Sequence, residues 1–403
     1  MARKPRRDLT VAEQLARGPV DLPFLMLTMM LLGIGLVMVL SASYATAYYN
    51  SKIDNPMFYF MRQIMFAALG VCAMFLVSKF NYQRLRGLSI IALGLALILL
   101  VLVLLVGTVR SGAQRWLPLF IVAGPDFQPS EAAKLAVILF FSARLSRRNP
   151  DKHRKWNKRT TLGRILQKLD DIGFLELVPY GMVLLIIAAL MIKEPHMSGT
   201  ILILAIGASI LFAAGIKLYW FILGGGTMAA ALIFIITKTE YMATRVALWK
   251  DPWIDPRGDG YQTIQSLYAI GSGGLLGLGL GKSRQKFLYL PEPENDFIFS
   301  IVCEELGYIG AAIVLILFAL LILRGYWLAI HARDRFGALL IVGVTTLLAV
   351  QVFLNIAVVT NLIPVTGISL PFFSYGGTAL VMQLVEMGII LSVSRQIPAP
   401  KAG

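Results

Sequence analysis

The feature that most constrains this chain is a series of ten long apolar segments of about 20 residues each. Such a segment can cross a bilayer as a helix, because a helix satisfies its backbone polar groups internally. Only 15% of the 403 residues are charged, whereas a soluble protein carries roughly a quarter. The pattern therefore predicts an all-α, polytopic membrane protein. The predicted spans are 22–46, 58–79, 88–107, 130–147, 174–192, 199–215, 218–237, 298–323, 336–358 and 376–394.

The basic residues predict how these helices are oriented. The chain has 37 Lys and Arg against 22 Asp and Glu, a net charge of +15. With the N-terminus inside, 24 of the 37 fall in cytoplasmic pieces, as the bias of Lys and Arg towards cytoplasmic loops requires. Topology and anionic lipid therefore account for the charge, and no nucleic-acid partner is expected. The predicted organisation is a basic cytoplasmic segment 1–21, a ten-helix membrane domain 22–394 with a basic cytoplasmic loop 144–171, and a cytoplasmic tail 395–403.

The first polar segment on the predicted outer face is 108–129. It mixes Arg115 and Trp116 with short apolar pieces, which is typical of an interfacial segment with an aromatic anchor. In the helix that follows, Glu131 favours the positive end of the helix dipole, and Lys134 lies three residues on along the same face. Ionisable groups at membrane depth are functional candidates. The alternative is a Glu131–Lys134 pair that only neutralises itself.

The second polar segment is a long outer loop, 238–296. Loops of this length are usually functional or disordered. Its glycine-rich part, 271–282, could let backbone N–H groups approach a phosphate closely, although its spacing matches neither a Walker loop nor a dinucleotide fingerprint. Simple loop flexibility explains the glycines equally well, so both interpretations stay open.

The long loop ends in three acids directly before the eighth span, and the last of them is Asp296. If the helix begins there, Asp296, Ser300 and Glu304 lie on roughly one face. A carboxylate against Phe297 and Phe299 would be partly desolvated, which raises its pKa towards that of a useful base. The alternative role for this aspartate is a helix N-cap.

A third outer segment, 361–378, contains two prolines and three glycines where a short loop between two spans would suffice. Irregular backbone at membrane depth is tolerated only where it lines a cavity or is buried in protein. The segment is therefore predicted to be a re-entrant element that faces the same outer cavity.

Four ordered blocks of the sequence resemble the SEDS family (shape, elongation, division and sporulation). The blocks are Arg115–Leu117 with Gln128–Glu131 and Lys134; 260–274; 290–292 with 296–299 and 304–307; and 364–378. The resemblance covers nearly the whole chain and is closer to the FtsW and SpoVE branch than to RodA. The chain departs from the family pattern at 194–200, where His196 replaces an acid. His196 is either a ligand or proton carrier, or has neither role.

The resemblance implies a glycosyltransferase that polymerises lipid II, the undecaprenyl-diphosphate-linked disaccharide peptide, on the outer face of the bacterial cytoplasmic membrane, with both termini inside. It maps the essential aspartate onto Asp296, the expected general base of a single inverting transfer. The leaving diphosphate needs charge stabilisation, for which Arg115, Lys134 and Lys286 are candidates. A divalent cation, Mg²⁺ or Mn²⁺, is left open, and no other cofactor is expected. The expected substrate-binding residues are Arg115, Trp116, Gln128, Ser130, Glu131, Lys134, Gln265, Lys286, Glu292, Ser374, Tyr375, Gly376 and Gly377.

The resemblance also implies partners: a class B penicillin-binding protein with transpeptidase activity, and other division or elongation proteins. Two other functions remain open on the sequence. A body of ten spans with broken helices also suits a lipid II flippase, although the polar residues are concentrated on one side. An inactive scaffold for wall-synthesis proteins is the third.

Overall fold

The structure is a computed structural model that describes residues 18–49, 55–110, 113–117, 127–148, 160–194, 196–238 and 240–397. Most of the predicted N-terminal segment, residues 149–159 of the basic loop and the last six residues lie outside this part. The helices are α1 (Leu22–Tyr49), α2 (Phe58–Lys79), α3 (Gln83–Val106), α4 (Pro129–Ser146), α5 (Thr161–Asp171), α6 (Phe174–Lys193), α7 (Met197–Ala213), α8 (Leu218–Lys238), α9 (Glu240–Lys250), α10 (Tyr261–Ser272), α11 (Ile298–His331), α12 (Arg335–Val359) and α13 (Gly377–Ser394).

The predicted all-α membrane fold is confirmed. Ten of the helices coincide with the ten predicted spans, and seven of them are long and apolar enough to cross a membrane among the residues described. The shorter α7 is also apolar. The largest difference at an edge is in α11, which continues to His331 rather than ending at 323. The outward faces of the spans carry large apolar side chains, as a lipid solvent requires. On α3 these include Ile90, Ile91, Ile98 and Leu105.

The predicted long loop 238–296 is largely folded. It contains α9, a short 3-10 helix (Pro252–Ile254) and α10, and only its last part, 273–297, is without long regular elements. The other polar segment forms a small hairpin of β1 (Thr108–Arg110) and β2 (Ala113–Trp116). A further short helix, α5, lies in the basic loop.

Small residues allow the spans to pack closely, which is the usual basis of helix association in lipid. A Cβ atom on Gly388 of α13 would lie 2.7 Å from the backbone oxygen of Met74 in α2. A Cβ atom on Gly35, near the middle of α1, would overlap the backbone oxygen of Phe372. The segment that follows α12 therefore descends to about the middle of α1, and the predicted re-entrant element is present.

The two ends of the bundle differ, and we call them the cavity end and the closed end. At the cavity end, α1 finishes, α11 begins, and Thr46 donates a hydrogen bond to Glu294. At the closed end, Asp334 accepts hydrogen bonds from Tyr82 and from Gln83. There too Arg148 pairs with Glu176, and Arg335 donates to the backbone oxygens of Arg148 and Ala214. These polar contacts join neighbouring elements at the closed end.

Candidate active site

A cavity of about 460 Å³ lies at the cavity end of the bundle. Its walls come from several parts of the chain that are distant in sequence. These are the first turn of α2, the β2 hairpin strand, the starts of α4 and α7, the end of the loop before α11, and the re-entrant segment with the first turns of α13. Polar and charged side chains line much of it, which is costly at membrane depth and is typical of a functional site.

Asp296 lies at the cavity wall in a well-fixed stretch of backbone. Asn355 on α12 donates hydrogen bonds to the backbone oxygens of Asp296 and Ile368, both at 2.7 Å, and so ties the loop to the re-entrant segment. The hydroxyl of Ser374 donates to the backbone oxygen of Asn295 at 2.8 Å. The base candidate is thus held by backbone contacts while its carboxylate is left to face the cavity.

The surroundings of Asp296 suit a general base. Burial and, to a smaller extent, the nearby Glu292 carboxylate raise the pKa of its carboxyl to about 6, against the opposing effect of the Arg115 guanidinium. The expected desolvation is confirmed. The helix itself begins two residues later: its N-cap residue is Phe297, and no side chain caps it. The N-cap alternative for Asp296 is therefore wrong.

The predicted shared face of Asp296, Ser300 and Glu304 is also wrong. Because α11 begins after Asp296, only this aspartate faces the cavity. The Ser300 hydroxyl lies 2.7 Å from that of Ser266 in the protein interior, and Glu304 is fully buried among donors of the preceding loop.

The start of α4 supplies an ion pair to the cavity wall. Pro129 occupies the first turn of this helix, and the Lys134 ammonium lies 2.8 Å from the Glu131 carboxylate. Both residues line the cavity, and the Lys134 side chain is only 3% exposed. Glu386 of α13, which is buried, lines the same wall. The pair therefore exists as the sequence suggested, and its cation is available to a ligand in the cavity.

Arg115 joins the hairpin to the linker between α6 and α7. Its Nε donates to the backbone oxygen of Glu194 at 3.4 Å. Burial raises the pKa of the Glu194 carboxyl to about 7, and Arg115 opposes this shift. Burial, Arg115 and Lys134 together lower the pKa of the His196 imidazole to about 3. His196 is therefore neutral at physiological pH, at the edge of a site whose fixed charges include two cations.

No group of three or more His, Cys, Asp or Glu side chains that could hold a metal ion occurs among the described residues. The divalent cation that the sequence leaves open stays a prediction, because Mg²⁺ commonly binds through one or two carboxylates together with substrate phosphates.

The re-entrant segment forms the wall opposite α4. The Gln63 side chain on α2 donates to the backbone oxygen of Ser374 at 3.2 Å and accepts from the N–H of Gly376 at 3.3 Å. The Tyr375 ring stacks edge-to-face on that of Tyr59, with centroids 5.1 Å apart. Backbone polar groups that a helix would have satisfied are thus satisfied by an amide side chain instead.

The cavity brings together most of the predicted site residues, although they come from blocks 260 residues apart. Those that line it are Arg115, Trp116, Gln128, Glu131, Lys134, Glu292, Asp296, Ser374, Tyr375, Gly376 and Gly377.

Three predicted residues do not line the cavity. Ser130 is buried, and its hydroxyl makes no hydrogen bond in the described structure. Gln265 lies on α10, away from the cavity wall. Lys286 is buried and forms an ion pair with Glu305 at 2.8 Å. A lysine held in this way does not reach a diphosphate in the cavity, so the structure separates Lys286 from the other two candidate cations.

Two charged residues that line the cavity were missed in the sequence, Arg62 of α2 and Glu386 of α13. Both are ionisable residues inside predicted spans, and such residues usually face a bundle interior or a cavity. Applied to every span, that rule would have found them.

Comparison with known proteins identifies the family. A family model described as "Cell cycle protein", FTSW_RODA_SPOVE, matches residues 22–398. The chain belongs to the SEDS family. Stage V sporulation protein E of Bacillus subtilis (strain 168) is 41% identical to this SEDS chain over 379 residues, which cover 93% of this chain and 97% of that protein. A "Probable peptidoglycan glycosyltransferase FtsW" of Trichlorobacter lovleyi is 37% identical over 387 residues, or 95% of each chain.

Solved structures show the same SEDS fold. A chain from a study of "structural coordination of polymerization and crosslinking by a peptidoglycan synthase complex" matches with a TM-score of 0.74 and 27% identity, over 94% of this chain and 98% of that one. The rod shape determining protein RodA of Thermus thermophilus matches with a TM-score of 0.66 and 25% identity, over 94% of this chain and 98% of that one.

Proposed function

We propose that this SEDS protein is a peptidoglycan glycosyltransferase that polymerises lipid II. The observation that carries the proposal is the carboxylate of Asp296, which faces a polar cavity at one end of the bundle together with Arg115 and Lys134. A base and two cations in one water-poor site are what a transfer from a diphosphate leaving group requires. The proposal is supported by the relatives named as probable peptidoglycan glycosyltransferases.

In the proposed reaction, Asp296 accepts the proton of the 4-hydroxyl on the acceptor sugar. The oxygen then bonds to the anomeric carbon of the donor sugar as the bond from that carbon to the diphosphate oxygen breaks. Undecaprenyl diphosphate leaves with the electron pair, the proton stays on Asp296, and the α-linkage becomes β. The leaving group is already acidic and needs opposing charge rather than a proton, which Arg115 and Lys134 supply.

The sidedness of the site follows from the distribution of charge. We place the cavity end on the extracytoplasmic face and both termini in the cytoplasm, because most basic residues then lie inside. The flippase alternative would need polar residues that serve both faces. The polar and charged side chains of the cavity lie instead at the cavity end, and at the closed end Asp334, Arg148 and Arg335 are engaged by neighbouring elements.

The proposal includes a partner. We expect a class B penicillin-binding protein to crosslink the strands made here, because a structurally similar chain comes from a peptidoglycan synthase complex. Other division or elongation proteins would determine where in the cell the pair works.

The test is polymerisation of lipid II by purified protein with Asp296→Asn. We expect glycan strand formation to fall by about 1,000-fold or more, because the base is lost while its shape is kept. Asp259→Asn is the matched control, since Asp259 is exposed on the loop before α10, and it should leave the rate unchanged. Full polymerisation by Asp296→Asn would exclude the proposed base. Lipid II scrambling by the wild-type protein in liposomes, with no polymer formed, would favour the flippase.

A further inference from the structure

The backbone that carries Asp296 belongs to a segment, 273–297, with no long helix or strand of its own. A base must be held to within a fraction of an ångström of its working position. The segment is nevertheless fixed along its length, and the groups that fix it come from the helix that follows it.

The first anchor is a break in α11. Gly307 has φ 67° and ψ −172°, a conformation outside the helical region. The glycine-rich part of the loop crosses the helix at this point. Leu278 and Gly279 donate backbone hydrogen bonds to the oxygens of Glu304 and Glu305, both at 3.0 Å. In return, Tyr308 donates to the oxygen of Gly274 at 2.9 Å. Gly273 and Gly277 therefore serve a close backbone crossing, since a Cβ atom on either would overlap a backbone oxygen of α11.

The second anchor is a pair of adjacent buried carboxylates. Glu304 accepts hydrogen bonds from the Ser283 hydroxyl and the backbone N–H of Arg284, at 2.9 Å for the latter. Glu305 accepts from the N–H groups of Gly281 and Ser283, at 3.0 and 3.2 Å. One helix thus holds the loop through donors within residues 281–284.

One cation faces these carboxylates. The Lys286 ammonium lies 2.8 Å from Glu305 and 2.9 Å from the hydroxyl of Ser41 on α1, and Ser41 itself donates to Glu305 at 2.7 Å. The side chains of Lys286 and Glu305 are 3% and 0% exposed. Removal of one partner of such a buried pair destabilises the fold severely, because the other charge is left buried without compensation.

The anchored loop leads directly to the base. Lys286 precedes Asp296 by ten residues. Between them, Leu290 donates a backbone hydrogen bond to Gln285 at 2.8 Å, and the Glu294 oxygen accepts from the N–H of Tyr375 at 2.8 Å. The segment from Lys286 to Asp296 is therefore tied to helix α11 at one end and to the re-entrant segment at the other.

We infer that Lys286 and Glu305 are positioning residues, which hold the loop so that Asp296 faces the cavity. The inference rests on the proposed function and deepens it. It also gives Lys286 a role that differs from binding the diphosphate: the lysine acts through the loop, by neutralising a buried carboxylate, and touches no substrate.

The experiment compares Lys286→Met, Glu305→Gln and the double variant in purified protein. Lys286→Met should lower kcat for lipid II polymerisation about tenfold or more and change KM by less than about threefold, because the substrate contacts remain. The double variant should recover most of the lost kcat, because the carboxylate that pairs with Lys286 is neutralised together with the lysine. Lys282→Met is the matched control, an exposed lysine of the same loop, and should behave as wild type.

Hydrogen–deuterium exchange of the same variants tests the inference without using activity. Lys286→Met should speed exchange in peptides that cover 281–296 by about threefold or more, and the double variant should reverse the change. A raised KM that the double variant does not rescue would assign Lys286 to substrate and overturn the inference. Unchanged exchange in Lys286→Met would overturn it as well. If exchange behaves as expected while the wild-type protein forms no polymer from lipid II, the loop anchor stands and the proposed function fails.

Discussion

A base buried next to a second carboxylate is expensive for a fold to keep charged. For Asp296 the pKa is raised from 3.8 to about 6, so the folded protein binds the proton more tightly than the unfolded chain does. The resulting penalty is absent below pH 3.8, grows as the pH rises, and is complete above about pH 6.

Removal of this charge should therefore stabilise the protein. At pH 7.5, Asp296→Asn is expected to raise the free energy of unfolding by about 1–3 kcal/mol, while it removes activity. Thermal unfolding in detergent at pH 7.5 and pH 4 measures this. The gain should shrink at pH 4, where the native carboxyl is protonated. A variant that is less stable than wild type at pH 7.5 would contradict the assigned environment.

The same pKa predicts the pH dependence of the reaction. Because only the carboxylate can accept the acceptor's proton, kcat/KM should rise with pH, be half-maximal near pH 6 and level off above it. Rates of lipid II polymerisation between pH 4.5 and 8 measure this profile. An acidic limb centred near pH 4 would mean that Asp296 is solvated as an ordinary carboxyl.

For individual residues, the sequence predicted which side chains belong to the site better than it predicted the partner that each side chain contacts. The desolvation of Asp296 was expected from two neighbouring phenylalanines, its assignment as the base came from the family resemblance, and the Glu131–Lys134 pair followed from helical spacing. Lys286 could not be placed in the same way. Its partner, Glu305, follows it by 19 residues, across a loop whose path no local pattern encodes.

At the scale of elements, the break in α11 is the feature on which the loop depends. A Cβ atom at Gly307 would overlap the backbone nitrogen of Gly277, and the backbone conformation there is essentially restricted to glycine. Gly307→Ala should therefore lower the free energy of unfolding by about 3 kcal/mol or more.

The control for this variant is Gly271→Ala. Gly271 lies in α10, and a Cβ atom there meets nothing within 4 Å, so the change should be neutral or slightly stabilising. Thermal unfolding and monodispersity on gel filtration compare the two variants. Equal stability of Gly307→Ala and wild type would mean that α11 can straighten without loss.

Elements whose signal is length and apolarity were predicted well, because the lipid solvent leaves a span few alternatives. The ten spans belong to this group, whereas the re-entrant segment was predicted from its prolines and glycines. Helices α5, α9 and α10 were not predicted. They are short and carry mixed polar and apolar residues, so neither length nor apolarity marks them.

At the scale of the whole molecule, the two ends should be distinguishable by chemical labelling. In a protein whose Cys72 and Cys303 are replaced by alanine, a cysteine at Trp253 lies at the cavity end and one at Lys217 at the closed end, and both positions are exposed. A membrane-impermeant maleimide added to intact spheroplasts should label Trp253→Cys, and should label Lys217→Cys only after permeabilisation. The reverse pattern would place the site in the cytoplasm.

The cavity wall includes Arg62 of α2 and Glu386 of α13, which are separated by more than 300 residues of sequence. A growing polypeptide inserts its spans one after another, so the early spans reach the bilayer long before α13 does. Until then Gln63 has no backbone of 374–376 to bind, and the carboxylate of Asp296 has only part of its enclosure. A nascent chain on the ribosome therefore already contains Asp296, Arg115 and Lys134 while the cavity around them is incomplete. The cavity wall is completed only when the re-entrant segment and α13 are integrated.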